Sequence, residues 1–203
     1  MTKDILIVAA LRDETKHHFE ERSIPVLYTG IGKVNAAYCL TLELAKSKLQ
    51  GGLPRAVINF GTAGSPVFKT HELVECTRFV QRDMDLSPLG FARGVTPFED
   101  TPAMLEVPKR LRNLPTGICG TGDSFENGAG VMHGDVFDME AYALAKVCHL
   151  EGLPFLSVKY ITDGCDHNAH NDWNENLHRA AASFAEVFSD VAAALTLQDS
   201  HAG

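Results

Sequence analysis

The sequence has no Cys-x-x-Cys pair, no block of lysine or arginine, no apolar stretch approaching the length of a membrane span, no internal repeat and no low-complexity linker. Each absence excludes something. The five cysteines, Cys39, Cys76, Cys119, Cys148 and Cys165, are odd in number and widely spread, so they read as reduced core thiols and not as a disulfide framework. Cys165 stands beside Asp163, Asp166 and His167 and lacks the positive neighbour a reactive thiolate requires. With 18 basic against 26 acidic residues and a net charge of -8, neither nucleic acid nor an anionic membrane surface suits the chain as its main partner. A small molecule or a protein fits better. The apolar run from Ile5 to Ala10 is too short for the core of a signal peptide and reads as the first strand of a cytoplasmic protein.

Two cofactor patterns are incomplete as well. Gly30-Ile31-Gly32-Lys33-Val34-Asn35 holds two glycines of a dinucleotide fingerprint but places Asn35 where the third belongs, and Val34 after Lys33 breaks the P-loop pattern. The group Cys165, Asp166, His167, His170 and Asp172 lies in a polar segment without helical spacing or a second cluster to complete a tetrahedron. Neither a cofactor nor a metal is expected.

What is present is an α/β rhythm. At 203 residues, 45% hydrophobic and 22% charged, the chain suits one domain with a sizeable core. Ile5 to Ala10 reads as strand, Asp13 to Glu21 as a short helix, and Pro25 to Tyr28 as strand. A glycine turn then leads into a helix from about Val34 to Ser47. Ala56 to Phe60 reads as a strand ending at a second glycine turn, Gly61-Thr62-Ala63-Gly64, where backbone amides could approach a polar ligand. Val74 to Val80 and Thr116 to Thr121 are further strands, Asp83 to Thr101 a loop or lid, and Trp173 to Leu197 a final amphipathic helix.

Between these lies the stretch richest in chemistry. Asp138 reads as the N-cap of a helix with Glu140 in its first turn, where the helix dipole favours negative charge. Met139, Ala143, Leu144, Val147 and Leu150 supply its apolar stripe, and Gly152 and Pro154 end it. Phe155 to Ile161 is a buried strand with Asp163 just past its carboxyl end. Taken singly, these acids are also what helix starts and turns commonly carry. Together they put two carboxylates on the rims of adjacent elements, where α/β enzymes do chemistry.

These segments, in this order, resemble the nucleoside phosphorylase/nucleosidase family and, within it, the bacterial 5'-methylthioadenosine/S-adenosylhomocysteine nucleosidases. The resemblance rests on Gly30-Ile31-Gly32-Lys33-Val34-Asn35-Ala36-Ala37, Ile58-Asn59-Phe60-Gly61-Thr62-Ala63-Gly64, Thr121-Gly122-Asp123-Ser124-Phe125, Asp138-Met139-Glu140-Ala141 and Ile161-Thr162-Asp163. It implies a three-layer α/β/α domain around a mixed twisted sheet, and a homodimer in which the lid of one subunit lies near the pocket of the other. It also implies roles. Asp163 would serve purine N7 as acid, Glu140 would accept hydrogen bonds from the ribose 2' and 3' hydroxyls, and Glu14 would activate water. Thr62, in the segment that ends at Gly64, would help hold that water, Phe125 would stack on the base, and Met139 would pack on the sugar.

Against the family's pattern, Lys159 stands where an arginine is usual near the water and ribose, which keeps the charge but not the planar fork. Glu126 replaces an apolar residue beside Phe125, Trp173 fits an aromatic position at the far end of the pocket, and Asp83 to Arg112 is shorter than usual. Phosphorylases of the family grip phosphate with an arginine where this chain has Asn59, which lacks the cationic fork; Arg12 lies near their other phosphate contact. The expected activity is therefore hydrolysis of a purine nucleoside, with phosphorolysis and a non-catalytic nucleoside binder as the alternatives.

Overall fold

The computed structural model describes residues 5–124, 134–165 and 169–196, without the side chains of 169–175, 177, 178 and 196. In chain order its strands are β1 (Ile5–Ala9), β2 (Val26–Tyr28), β3 (Ala56–Gly64), β4 (Leu73–Gln81), β5 (Met104–Glu106), β6 (Thr116–Thr121), β7 (Val136–Asp138) and β8 (Phe155–Asp163). The helices are α1 (Arg12–Thr15), α2 (Lys33–Leu49), α3 (Ala141–Glu151) and α4 (Ala169–Thr196).

The sheet is mixed. β1 pairs in parallel with β2 and β3, β3 with β8, β4 with β6, and β6 with β7, while β4 runs antiparallel to β5 and β8. A single antiparallel pair, Gly64 with Phe137, joins β3 to β7. The pairings therefore run in a ring, β3 to β8 to β4 to β6 to β7 and back to β3, with β1, β2 and β5 outside it. This partial closure is a feature the sequence pattern did not suggest.

Alternate strand residues go to two separate apolar clusters, as the two-residue period of a strand requires. Val8, Val57, Ala63, Phe155 and Ile161 join one cluster with Ala36, Leu40 and Leu44 of α2 and Leu144 and Cys148 of α3. Ile5, Ile7, Ile58, Phe60, Leu156, Val158 and Tyr160 join the other with Ala180, Phe184, Phe188 and Val191 of α4. Phe60 is the centre of the second cluster, 5.4 Å from the Phe19 ring and 4.9 Å from Phe184.

Several boundaries differ from those expected. β3 does not end at Phe60; it continues through Gly61-Thr62-Ala63-Gly64, because β8 extends alongside it as far as Asp163, with a register shift at Ala63 and Gly64. The expected second glycine turn is therefore strand. The helix expected from Asp13 to Glu21 is one turn, broken at Lys16 (φ 49°) and followed by a 3-10 turn over Glu20–Arg22. Thr15, the last residue of α1, shares a 2.7 Å hydrogen bond with Tyr28 on β2. The two short strands β5 and β7 were not expected. β7 takes in Asp138, so α3 starts at Ala141 with Glu140 in the N-cap position. Asp138 still caps the helix from the strand, since its Oδ2 accepts the Ala141 N–H at 2.8 Å.

Candidate active site

β1 ends at Ala9, and the chain turns immediately into α1, which holds Glu14 under its own preceding backbone. Glu14 Oε2 accepts the N–H groups of Ala10 and Leu11, both at 2.9 Å. Its Oε1 accepts the Thr62 N–H at 2.8 Å and the Thr62 hydroxyl at 2.9 Å. These four hydrogen bonds fix a buried carboxylate between the end of β1 and the extension of β3.

Asp163 is the last residue of β8 and faces Gly64 across the ladder. Its Oδ2 accepts from the Thr162 hydroxyl at 2.8 Å and its Oδ1 from the Cys165 N–H at 3.1 Å. A Cβ on Gly64 would lie 2.5 Å from both Asp163 Oδ1 and Cys165 Sγ, so the glycine is there to leave room for the acid. From α4, Asn176 donates to the Thr162 carbonyl at 2.9 Å and braces the same strand end.

Glu140 completes the set. Helix α2 has no side-chain cap of its own, and its N-cap Gly32 has φ 98°, a conformation that favours glycine. Its first free amides are satisfied from elsewhere in the chain: Gly32 N–H donates to Glu140 Oε1 and Lys33 N–H to Asp123 Oδ1, both at 2.8 Å. A negative charge is favoured at that helix end. Burial nevertheless pushes Glu140 up to about 8, reinforced by nearby Asp138 and Glu14 and opposed by Lys159 and the Gly32 amide.

Beneath these groups lies a sealed ion pair, Lys159 Nζ to Asp138 Oδ2 at 2.7 Å. Asp138 Oδ1 also accepts from the Thr121 hydroxyl at 2.6 Å and the Cys119 thiol at 3.3 Å. Burial alone would raise Asp138, but Lys159, Thr121 and the Ala141 amide outweigh it and hold the carboxyl below its ordinary range. For Lys159, burial would lower the ammonium, and the charges of Asp138 and Glu140 raise it instead. Removing one partner of such a pair strands the other charge, which costs about 3–5 kcal/mol.

One cavity of about 230 Å³ gathers Glu14, Thr62, Gly64, Met139, Glu140 and Asp163, all singled out from the sequence. Lys159 does not line it; its ammonium is engaged with Asp138 below. Phe125 and Glu126 lie outside the described residues, as do Asp166 and His167 and the side chains of His170, Asp172 and Trp173. Among the described residues no group of three or more His, Cys, Asp and Glu side chains could hold a metal ion.

Sequence reasoning missed part of the wall and rim. Ile31, Phe137 and Cys165 line the cavity, and so does Arg82, which donates to the Ser124 hydroxyl at 3.1 Å and to the Ser124 carbonyl. Lys33 lies 2.5 Å from Asp83 Oδ1 and 3.7 Å from Asp123 Oδ2, and the Asp123 N–H donates to Asp83 Oδ2 at 2.9 Å. This rim joins α2, the segment after β4 and the segment after β6. The one signal for it was the position of Lys33 and Asp123 inside glycine-flanked motifs.

A sheet whose pairings close into a ring, with four carboxylates lining one cavity beside a helix N-terminus, defines a class, and the sequence profile of the Phosphorylase superfamily matches residues 14–194. The chain belongs to that superfamily. Among curated proteins it is similar to the 5'-methylthioadenosine/S-adenosylhomocysteine nucleosidase of Actinobacillus succinogenes, with 33% identity over 92% of this chain and 93% of the relative. Among solved structures it is similar to the Helicobacter pylori enzyme of the same name, crystallised with butyl-thio-DADMe-Immucillin-A. That match has 25% identity and a TM-score of 0.79 over 92% of this chain and 97% of the other. It shares its fold with the futalosine hydrolase of Helicobacter pylori, at 24% identity and a TM-score of 0.78 over 92% and 95% of the two chains.

The raised Glu140 makes stability depend on pH in a stated direction. The folded chain keeps a proton that the unfolded chain releases near 4.5, so this contribution is complete below that value and is lost as pH rises through about 8. Its slope is at most about 1.4 kcal/mol per pH unit. The thermal midpoint of the wild type should fall more steeply than that of Glu140→Gln as pH rises through this window. Parallel curves would show that Glu140 titrates normally.

Proposed function

We propose that the chain is a nucleosidase: it hydrolyses the N-glycosidic bond of a purine nucleoside, a 5'-substituted adenosine such as methylthioadenosine or adenosylhomocysteine, releasing free base and sugar. The observation that carries this reading is the convergence of Glu14, Glu140 and Asp163 on one cavity. Breaking the C1'–N9 bond leaves its electron pair on the purine and positive charge on the sugar. Asp163 protonates or hydrogen-bonds N7 and so neutralises the departing base. Glu140 accepts the ribose hydroxyls, Met139 packs on the sugar, and Gly64 keeps the space beside Asp163 open. Water held at Thr62 attacks C1' and gives its proton to Glu14. The family resemblance assigns base stacking to Phe125 and an aromatic position at the far end of the pocket to Trp173; Glu126 stands beside Phe125 where the family has an apolar residue.

Hydrolysis is favoured over phosphorolysis by the surroundings of the positions where phosphate contacts would fall. The Asn59 amide is buried and donates to the Val8 carbonyl at 3.3 Å, while its oxygen accepts from Ser157 at 2.9 Å. The Arg12 guanidinium lies 4.6 Å from the Tyr28 ring centroid and does not line the cavity. Among the described residues Arg82 is the one Lys or Arg that does, and it is engaged by Ser124. A bidentate phosphate site needs a cationic fork facing the sugar.

The same reading takes the chain as one three-layer α/β/α domain, supported by the two apolar clusters that α2 with α3 and α4 form with alternate strand residues. We place it in the cytoplasm, in keeping with the odd number and wide spread of its cysteines; no helix of the described residues is long and apolar enough to cross a membrane. Nucleic acid is not among its proposed partners. We also take it as a homodimer. Val34, Tyr38 and Leu42 are exposed at four-residue spacing along α2, and Leu89 and Phe98 are exposed in the segment after β4. Sedimentation as a two-chain species is the expected result, and a single-chain species at micromolar concentration would contradict it.

Activity is tested by incubating methylthioadenosine, adenosylhomocysteine, adenosine and inosine with the protein and resolving the free base by chromatography. Base should appear without phosphate; release that requires phosphate would make the protein a phosphorylase, and no release a binder. Asp163→Asn should lower turnover by about 10²–10⁴-fold while binding changes far less. Equal loss of both would remove Asp163 from the acid role.

A further inference from the structure

Lys159 is a fully buried charged side chain near the cavity, and the nucleosidase chemistry above gives it no direct task. It sits on β8 opposite Gly61 of β3. A Cβ on Gly61 would lie 2.9 Å from Lys159 Nζ and 3.5 Å from Glu14 Oε1, so the ammonium occupies the space a side chain would take and comes up beside Glu14. Its bonded partner is Asp138, and both side chains are sealed from solvent, at 1% and 0% exposure.

Asp138 in turn controls where Glu140 stands. Its carboxylate holds the Ala141 N–H, and the Thr121 hydroxyl that donates to Asp138 accepts the Tyr142 N–H at 2.9 Å. The first two amides of α3 are thus fastened to the ion pair, and Glu140 is caught between Asp138 and Ala141. On its other side Glu140 is held by the Gly32 amide. A carboxylate meant to receive two hydroxyls needs a fixed position and its negative charge.

The surrounding groups act on that charge in opposite directions. Asp138 from β7 and Glu14 from α1 oppose ionisation of Glu140, and Lys159 from β8 favours it. Cys119 from β6 lies against Asp138 as a neutral donor, kept protonated first by burial and then by Cys76 and Asp138. Lys159, bonded to Asp138, is a cation set within this acidic cluster.

We propose that Lys159 is a positioning residue that never touches the nucleoside: locked to Asp138 beneath the cavity, it fixes the turn carrying Glu140 and supplies the positive field in which Glu140 accepts the sugar hydroxyls. This rests on the nucleosidase reading and assigns within it a role separate from the water and ribose contact that an arginine at this place would make. A purely structural ion pair would support every ligand equally. A pair that acts through Glu140 supports only ligands with hydroxyls to offer.

The test measures dissociation constants for methylthioadenosine and for its 2',3'-dideoxy analogue in an Asp163→Asn background, so that nothing is turned over. Lys159→Met should weaken methylthioadenosine by roughly tenfold or more and the dideoxy analogue by less than about twofold. The pH midpoint for methylthioadenosine binding should also move upward. Where Lys159→Met alone does not fold, Lys159→Gln, which can still donate to Asp138 but carries no charge, should show the same selectivity. Equal weakening of the two ligands, or none of either, overturns the proposal and leaves the nucleosidase reading intact. Failure of the Lys159-containing parent to bind either ligand overturns that reading itself.

Discussion

Parallel pairing of β3 with β8 beyond Phe60 governs the geometry of the site. Gly61 meets Lys159, Thr62 meets Tyr160 and Gly64 meets Asp163. Thr62 holds Glu14, Lys159 holds Asp138 and so the start of α3, and Gly64 clears the space for Asp163. A one-residue slip would turn every one of these side chains to the other face of the sheet. The apolar clusters resist such a slip, because Ile58, Phe60, Leu156 and Val158 would leave the aromatic core around Phe184 along with it. Core packing and site geometry are thus fixed by the same register.

Electrostatics then set the character of the cavity. Glu14, Asp138, Glu140 and Asp163 all line it. Such a concentration of acids would be unfavourable in a low-dielectric interior without compensation. The compensation comes from Lys159 and from backbone amides: Ala10, Leu11 and Thr62 serve Glu14, Gly32 serves Glu140, Ala141 serves Asp138 and Cys165 serves Asp163. Amides held in place do not have to reorganise when charge appears, which is the property that favours a transition state over a ground state. Glu140, with one such amide and two acidic neighbours, is pushed up to about 8 by burial and so changes charge near neutral pH.

Much of this was legible in the sequence, for reasons that differ between elements. Long apolar periodicity gave α2, α4, β1, β6 and β8 to within a few residues, since those elements bury a regular face. The motif residues Glu14, Thr62, Gly64, Met139, Glu140 and Asp163 meet in one cavity, as the order of the motifs implied. The one-turn α1, the extension of β3 through two glycines, and strands β5 and β7 were not legible, because each is decided by partners distant in sequence. Glu14 folds back on backbone amides, Gly61 and Gly64 are in strand only because β8 runs past them, and three-residue strands carry no period. The burial of Lys159 beneath the cavity has the same origin: nothing along the chain distinguishes a lysine that reaches a ligand from one that reaches Asp138.

The most direct measurement is a crystal structure of the Asp163→Asn protein with methylthioadenosine bound. The account requires purine N7 within hydrogen-bonding distance of residue 163, the 2' and 3' hydroxyls on Glu140, and a water between Glu14 and C1'. A nucleoside seated elsewhere, or in this cavity with its sugar turned away from Glu140, would contradict it.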